Sequence, residues 1–255
     1  MSKIGEGKDA IVEREGNIVI KKYINKTPSE TAEVENFCLH YLTRMSYPVP
    51  EPKGLYYKNN SLIGVQMGYV SDDQLQDNFF QEGYGSIAGK ILGKLHHRLH
   101  VIPLNDFPSN FPMAKDLFAE SAKKHGLSEF LFEVNKDEKV VLSHGDLNPA
   151  NVLFGPEPIV IDWARAFIGP IESDIACTLF LLKIFPIPDD ANPTELKNVK
   201  ENLIECEKEY LKEYNSRYRL NKSETENWIR LVAERTGTAK ALMLLNSRIE
   251  ITWPE

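Results

Sequence analysis

The sequence is short of cysteine, of net positive charge and of long apolar runs, and each shortage excludes something. Its three cysteines, Cys38, Cys177 and Cys206, are odd in number and far apart. That pattern fits neither a disulfide framework nor a cysteine metal site, so reduced structural thiols are expected. Lys and Arg total 30 against 37 Asp and Glu, a formal net charge of -7, and the chain lacks the basic field with which a general nucleic-acid binder meets phosphates. No nucleic-acid partner is expected, and a cationic small molecule suits the charge better. The longest apolar stretch, IACTLFLLKIF (175–185), is interrupted by Lys183 and is too short to cross a bilayer. The opening MSKIGEGKDA has no apolar signal core. The expectation is a cytoplasmic chain with no membrane partner. Internal repeats and low-complexity tracts are absent too.

What is present is enough for a real core. With 255 residues, 42% of them hydrophobic and 26% charged, the chain reads as an ordinary globular protein of one large domain or two lobes. The first seventy residues favour strands. Residues 10–14 and 17–23 form a predicted hairpin about Glu15-Gly16-Asn17. Thr27-Pro28-Ser29-Glu30 then opens a helix in which Val34, Phe37, Cys38, Tyr41 and Leu42 recur at helical spacing until YPVPEP stops it. GLYYKNNSLIGVQMGYV supplies two further strands joined at Lys58-Asn59-Asn60. From about residue 85 the texture is helical: SIAGKILGKLHHRLHVI, then 113–133, then most of 172–250. The break in that series is a predicted strand pair, KVVLSHGD and PIVIDWA, flanking a polar loop. The outline is a small mixed lobe over 1–70, a linker near 68–76, and a larger helical lobe over 71–255.

The polar loop, HGDLNPANVLF (144–154), carries the chemistry. Asp146 and Asn151 lie five apart on it, and Asp162 ends the next short strand. Adjacent strand ends bring such residues together. Oxygen donors of this kind suit magnesium, which takes one or two protein groups and fills its shell with water and phosphate oxygens. A carboxylate is left over, and in phosphoryl transfer it can accept the proton of an attacking hydroxyl. Asp146 is assigned to the proton, Asn151 and Asp162 to the metal.

HGDLNPAN followed by IVIDW resembles the aminoglycoside phosphotransferase and choline kinase family, relatives of the protein kinases. His144, Asp146 and Asn151 match the pattern His-x-Asp-x-x-x-x-Asn, and Asp162 follows as the second aspartate. The resemblance implies an α+β, bilobal protein-kinase-like fold, with a small antiparallel-sheet lobe holding one helix and a larger, mostly helical lobe. It also implies ATP and Mg2+ as cofactors. In IGEGKDAIV, Gly5 and Gly7 resemble a glycine-rich phosphate cover, where small residues let backbone N–H groups approach phosphate oxygens. A flexible turn is the plainer reading of that pair. Lys21 of IVIKKY resembles the strand lysine that grips the α- and β-phosphates, with Lys22 as the competitor on the opposite face. Glu35, with Leu39 and Leu42, fits the spacing of the helix glutamate better than Glu33. VQMGYV resembles the hinge, whose backbone at Gly68 and Val70 meets the adenine edge. GPIESDIACTLFLL resembles a segment in which Asp174 braces the catalytic loop; a plain N-cap is the alternative.

Two departures weigh against a protein kinase. Asn148 stands where a lysine is common, and eleven residues between Asp162 and Asp174 leave no room for an activation loop with its peptide platform. A small-molecule hydroxyl is the expected acceptor, with an aminoglycoside-type antibiotic first in line. The alternatives are a kinase of choline, ethanolamine, homoserine or a sugar, and a nucleotide-binding module without turnover. Glu172, Glu201, Glu205, Glu207, Glu209, Trp228 and Trp253 are candidates for a cation-binding wall, although ENLIECEKEYLKEY reads more simply as a solvated helix face. His96 and His100 lack the glutamate of a zinc-protease motif and are expected to pack or to face solvent. Arg165 resembles an arginine that follows the metal aspartate in some antibiotic kinases and is equally readable as a salt-bridged structural residue, and His144 resembles the histidine that supports the loop backbone.

Overall fold

In the computed structural model, residues 2–134, 140–187, 190–238, 241 and 251–253 are described. In chain order the elements are β1 (Ser2–Glu6), β2 (Ala10–Glu15), β3 (Ile18–Tyr23), α1 (Pro28–Arg44), β4 (Pro52–Lys58), β5 (Ser61–Gly68), α2 (Gly85–His100), α3 (Ala114–Leu117), α4 (Ala119–Lys124) and α5 (Ser128–Val134). After these come β6 (Val140–Ser143), β7 (Val152–Phe154), β8 (Pro158–Val160), β9 (Phe167–Pro170), α6 (Ile171–Lys183), α7 (Pro193–Asn215) and α8 (Lys222–Thr236). The chain divides into two compact units, Met1–Gln74 with Asn151–Ala166, and Leu75–Ala150 with Phe167–Glu255. This differs from an uninterrupted second lobe beginning at residue 71. The segment Asn151–Ala166 is tied to the first unit by hydrogen bonds from Phe154 N to Asp73 O and from Val160 N to Pro48 O, each 2.9 Å.

The first unit is an antiparallel sheet in the order β1-β2-β3-β5-β4. Its turns have chemical causes. Gly16, at φ 59°, turns β2 into β3, and Asn59 (φ 50°) and Asn60 (φ 61°) form the two-residue loop between Lys58 and Ser61. Asparagine tolerates the left-handed backbone that such hairpin turns need. Pro28 sits in the first turn of α1, where its missing N–H is not needed. Ala32, Glu35, Cys38, Leu39 and Leu42 form that helix's buried stripe. The strand β1 was not expected: SKIGE has no alternating apolar pattern because β1 is an exposed edge strand with little to bury. A second small hairpin, β7 with β8, completes this unit.

In the second unit α2 packs along α7 through Gly85, Gly89 and Gly93. A Cβ at these positions would stand 2.2 Å from Asn202 O, 2.4 Å from Cys206 O and 2.8 Å from Glu213 Cβ. Each glycine in a helix costs roughly 0.5–1 kcal/mol against alanine, and the return is backbone-to-backbone approach. The paired run KVVLSHGD and PIVIDWA needs correction. β6 pairs with β9, Leu142 opposite Ile168, and β8 pairs with β7, Val152 opposite Val160. Each run finds its partner within its own unit, and VLF (152–154) is itself a strand. Helical texture over 113–133 resolves into α3, α4 and α5, and that over 172–250 into α6, α7 and α8, with 239, 240 and 242–250 outside the described residues. Among the described residues no helix is long and apolar enough to cross a membrane.

Candidate functional site

In the first unit the site begins with the alternation of β3. Lys21 and Tyr23 point to the α1 side of the sheet, while Lys22 turns to the other face and pairs with Glu13. Lys21 is 7% exposed, and its Nζ lies 2.6 Å from Asp162 Oδ1 and 3.2 Å from Glu35 Oε1. Glu35 is fully buried on the inward stripe of α1, whereas Glu33 is exposed. Besides Lys21, Glu35 accepts from the Tyr23 hydroxyl and, at 2.9 Å, from Trp163 N. Burial works to lower the Lys21 pKa, but Asp162 and then Glu35 more than offset it and raise the ammonium above its ordinary value. Burial, then the Glu35 charge, keeps the Tyr23 phenol protonated. Gly64 permits the pairing behind the lysine, since a Cβ there would stand 2.1 Å from Lys21 O.

Asp162 follows β8 with φ 65° and ψ 61°, the left-handed region that Asp visits more readily than most side chains. Ile161 N donates to Asn151 O at 3.0 Å, so Asn151 and Asp162 stand at the open end of one hairpin. Nearby is a cleft of about 440 Å³ with apolar walls from Val12, Val19, Met67, Leu153 and Ile161. Lys21, Glu35 and Asp162 form its charged end, and Gly5, Gly68 and Val70 also line it. An apolar slot with one charged end can take a planar ring and hold an anionic tail beside an ammonium. Gly7 is not among the lining residues; its N–H closes a turn onto Ala10 O at 2.9 Å. Asn151 is likewise outside the lining. Arg165 reaches Asp9 at 3.1 Å, both about half exposed, which makes it a salt-bridged residue.

Asp146 lies in the second unit, half-buried between the buried His144 and Leu147. Its N–H donates to His144 Nδ1 at 3.1 Å, and Asn148 Nδ2 donates to its carbonyl at 2.9 Å. His144 N and Gly145 N donate to the two oxygens of Asp174, at 2.7 and 2.8 Å. Asp174 is no N-cap: α6 starts at Ile171 with Pro170 as its cap. It braces the loop. His96 Nε2 and His100 Nε2 lie 2.8 and 3.2 Å from Asp174 Oδ2, and their Nδ1 atoms lie 2.6 and 2.7 Å from the hydroxyls of Tyr210 and Tyr214. Burial pushes the Asp174 pKa up, but His96 and His100 together hold the carboxyl well below its usual range. His100 is pushed down to about 4 by burial and then by His96, against the opposing pull of Asp174.

Other expected residues fall elsewhere. Trp228 is fully buried, edge-on to Phe118 and Phe130, and belongs to a core rather than to a cation cage. Glu172 is buried and accepts from Asn221 N at 3.2 Å. Glu207 pairs with Lys183 at 2.5 Å, and Glu209 lies 3.8 Å from Lys90. Both are buried, so that face of α7 is partly internal and not simply solvated. Sequence reading missed Tyr23, Asn148 and Thr178 as partners of the site. Strand alternation from Lys21 to Tyr23 and helical spacing from Asp174 to Thr178 are signals that could have found two of them.

Residues 11–200 match the APH family, described as a phosphotransferase enzyme family. No curated protein matches. Solved structures do. The aminoglycoside-3'-phosphotransferase of type VIII is 17% identical, with 92% of this chain and 91% of that one covered and a TM-score of 0.59. Aminoglycoside phosphotransferase APH(3'')-Id from Streptomyces rimosus, in complex with ADP and streptomycin, is 14% identical over 87% and 88%, with a TM-score of 0.61. A thermostable mutant of aminoglycoside phosphotransferase APH(4)-Ia, in a ternary complex with AMP-PNP and hygromycin B, is 12% identical over 97% and 93%, with a TM-score of 0.66. At such identities the likeness speaks for the kinase-like α+β fold, while the match over residues 11–200 speaks for descent, and the chain belongs to the APH phosphotransferase family.

Proposed function

We propose that the protein is a magnesium-dependent kinase that moves the γ-phosphate of ATP to a hydroxyl of a small, cationic acceptor, with aminoglycoside-type amino-alcohols as the first class to test. The observation that carries this reading is Lys21 lodged between Glu35 and Asp162 at the charged end of an apolar cleft. Lys21 meets the α- and β-phosphates, Gly5 lies over them, with Gly7 shaping the turn that follows, and backbone groups of Gly68 and Val70 meet the adenine edge. Asn151 and Asp162 would hold the metal. The donor chemistry fits: an amide oxygen and a carboxylate are hard ligands, and the Asp162 side chain is 37% exposed beside the cleft. A magnesium ion held by these two residues would supply neutralisation of charge on the phosphate oxygens.

Asp146 accepts the acceptor's O–H proton at a carboxylate oxygen. The alcohol oxygen bonds to the γ-phosphorus, the bond to the β–γ bridging oxygen breaks, and ADP leaves. The streptomycin and hygromycin B held by the structural neighbours and the net charge of -7 favour an ammonium-bearing acceptor. Three buried cysteines, none of them in a disulfide, suit a cytoplasmic enzyme. The test is ADP release over a panel of aminoglycosides, choline, ethanolamine, homoserine and sugars, with and without magnesium. Turnover that disappears in Asp146→Ala is expected. No turnover on any acceptor, with no thermal shift on adding AMP-PNP, would sink the proposal.

A further inference from the structure

Helix α6 meets the loop around Asp146 at two points one turn apart. Asp174 takes the amides of His144 and Gly145 on one side. Four residues on, the fully buried Thr178 donates its hydroxyl to Leu147 O at 2.8 Å. Positions i and i+4 share a helix face, so one face of α6 grips the chain both before and after Asp146. The buried neighbours His144 and Leu147 are the gripped residues, while Asp146 itself stays partly exposed. We propose that Thr178 is a positioning residue of the phosphotransferase: by fixing the chain after Asp146, it holds that carboxylate in one orientation for proton acceptance. The role rests on the catalytic reading of Asp146 given above.

A backing layer supports the first anchor. The Tyr210 hydroxyl lies 2.6 Å from His96 Nδ1, and His96 Nε2 lies 2.8 Å from Asp174. Asp174, His96 and Tyr210 therefore form a chain of polar contacts through α6, α2 and α7, and Thr178 is the second anchor on the same helix. A metal centre on His96, His100 and Asp174 is the competing use of these groups. Tetrahedral zinc binds N and O at about 2.0–2.1 Å and so keeps its ligand atoms roughly 3.3 Å apart. The 2.8 Å between His96 Nε2 and Asp174 Oδ2, and the His144 amide 2.7 Å from the same oxygen, are hydrogen-bond distances instead. In Thr178→Val the shape is kept and the Leu147 carbonyl is left buried without its donor.

The experiment compares wild type, Thr178→Val and Thr178→Ser in the full chain, using Mg·ATP hydrolysis with water as acceptor and any acceptor found to turn over. A small misplacement of a reacting group can cost on the order of a hundredfold in rate. Thr178→Val is expected to lower kcat about tenfold or more with KM for ATP within about twofold, and Thr178→Ser to recover most of it. An unchanged kcat in Thr178→Val, or a Thr178→Ser no better than the valine, overturns the proposal. Should Thr178→Val fail to fold, Thr178→Ala is read in the same way. Should wild type turn nothing over, the phosphotransferase reading fails by itself, and hydrogen exchange at the Gly145 and Asp146 amides decides the anchoring role. Faster exchange in the valine variant keeps it, and identical exchange ends it.

Discussion

Lys21 Nζ lies 2.6 Å from Asp162 Oδ1 and 3.2 Å from Glu35 Oε1, so one ammonium bridges a half-exposed carboxylate and a fully buried one. Removing it leaves Glu35 with the Tyr23 hydroxyl and the Trp163 amide but no counter-charge. Breaking a buried pair from one side destabilises by about 3–5 kcal/mol. Lys21→Met is expected to lose on the order of 3 kcal/mol in urea denaturation and at least about tenfold in AMP-PNP affinity by calorimetry. Full stability together with wild-type affinity would contradict the bridging role.

His100 gives the stability a pH dependence of known sign. Burial and His96 push its pKa from 6.5 down to about 4 in the folded chain. Between those values the unfolded chain binds a proton that the folded chain does not, so stability falls as pH drops from about 6.5 towards 4 and is flat above it. The loss is on the order of 3 kcal/mol at most. Asp174, whose carboxyl is held well below its ordinary range in the folded chain, adds a loss of the same sign at still lower pH. Urea midpoints from pH 7.5 to 4.5 should slope downward in wild type and less steeply in His100→Gln. Parallel slopes would remove His100 from the account.

How much of this was legible follows the range of each interaction. The β2–β3 hairpin, the Asn59-Asn60 turn and the start of α1 are set by residues next to one another, and their signals are local. Strand alternation separates Lys21 from Lys22 onto opposite faces, but it is the family resemblance that selects Lys21 over Lys22 and Glu35 over Glu33, and the selected residues are the buried ones. The partners of Asp174 were not legible. That holds for its histidine and tyrosine backing, since His96 lies 78 residues from Asp174 and 114 from Tyr210 and no local pattern connects them, whereas its bracing of the loop at His144 followed from the family resemblance. A trace existed even so: Gly85, Gly89 and Gly93 repeat every four residues and lead into His96 and His100 on α2, while Tyr210 and Tyr214 repeat with the same spacing on α7. The pairing of β6 with β9, rather than with β8, was hidden for a related reason. Short apolar runs carry no record of their partner.

That glycine stripe makes its own prediction. A methyl at position 89 would stand 2.4 Å from Cys206 O and 2.8 Å from Tyr210 N, both backbone atoms of α7. Alanine gains up to about 1 kcal/mol of helix propensity, but forcing an extra carbon into a packed interface costs about 1–3 kcal/mol. Gly89→Ala should lower the melting temperature by a few degrees, at roughly 2–4 °C per kcal/mol for a chain of this size. A raised melting temperature would mean that the helices can separate without loss.

Tyr23 sits two residues beyond Lys21 on the same strand face, and its hydroxyl donates to Glu35 Oε2. Glu35 is fully buried, so Tyr23→Phe keeps the ring while leaving one carboxylate oxygen short of a donor, at a cost of about 1–3 kcal/mol. The consequence reaches the cleft, because Glu35 is one of the two carboxylates that hold Lys21. In Tyr23→Phe the carboxylate can rotate towards Lys21 and Trp163 N, its remaining donors. Nucleotide affinity should therefore weaken by a few-fold only, less than in Lys21→Met, while stability drops measurably. Paired denaturation and AMP-PNP titrations separate the two effects. A loss of affinity as large as that of Lys21→Met would mean that the phenol, and not the carboxylate, orients the lysine.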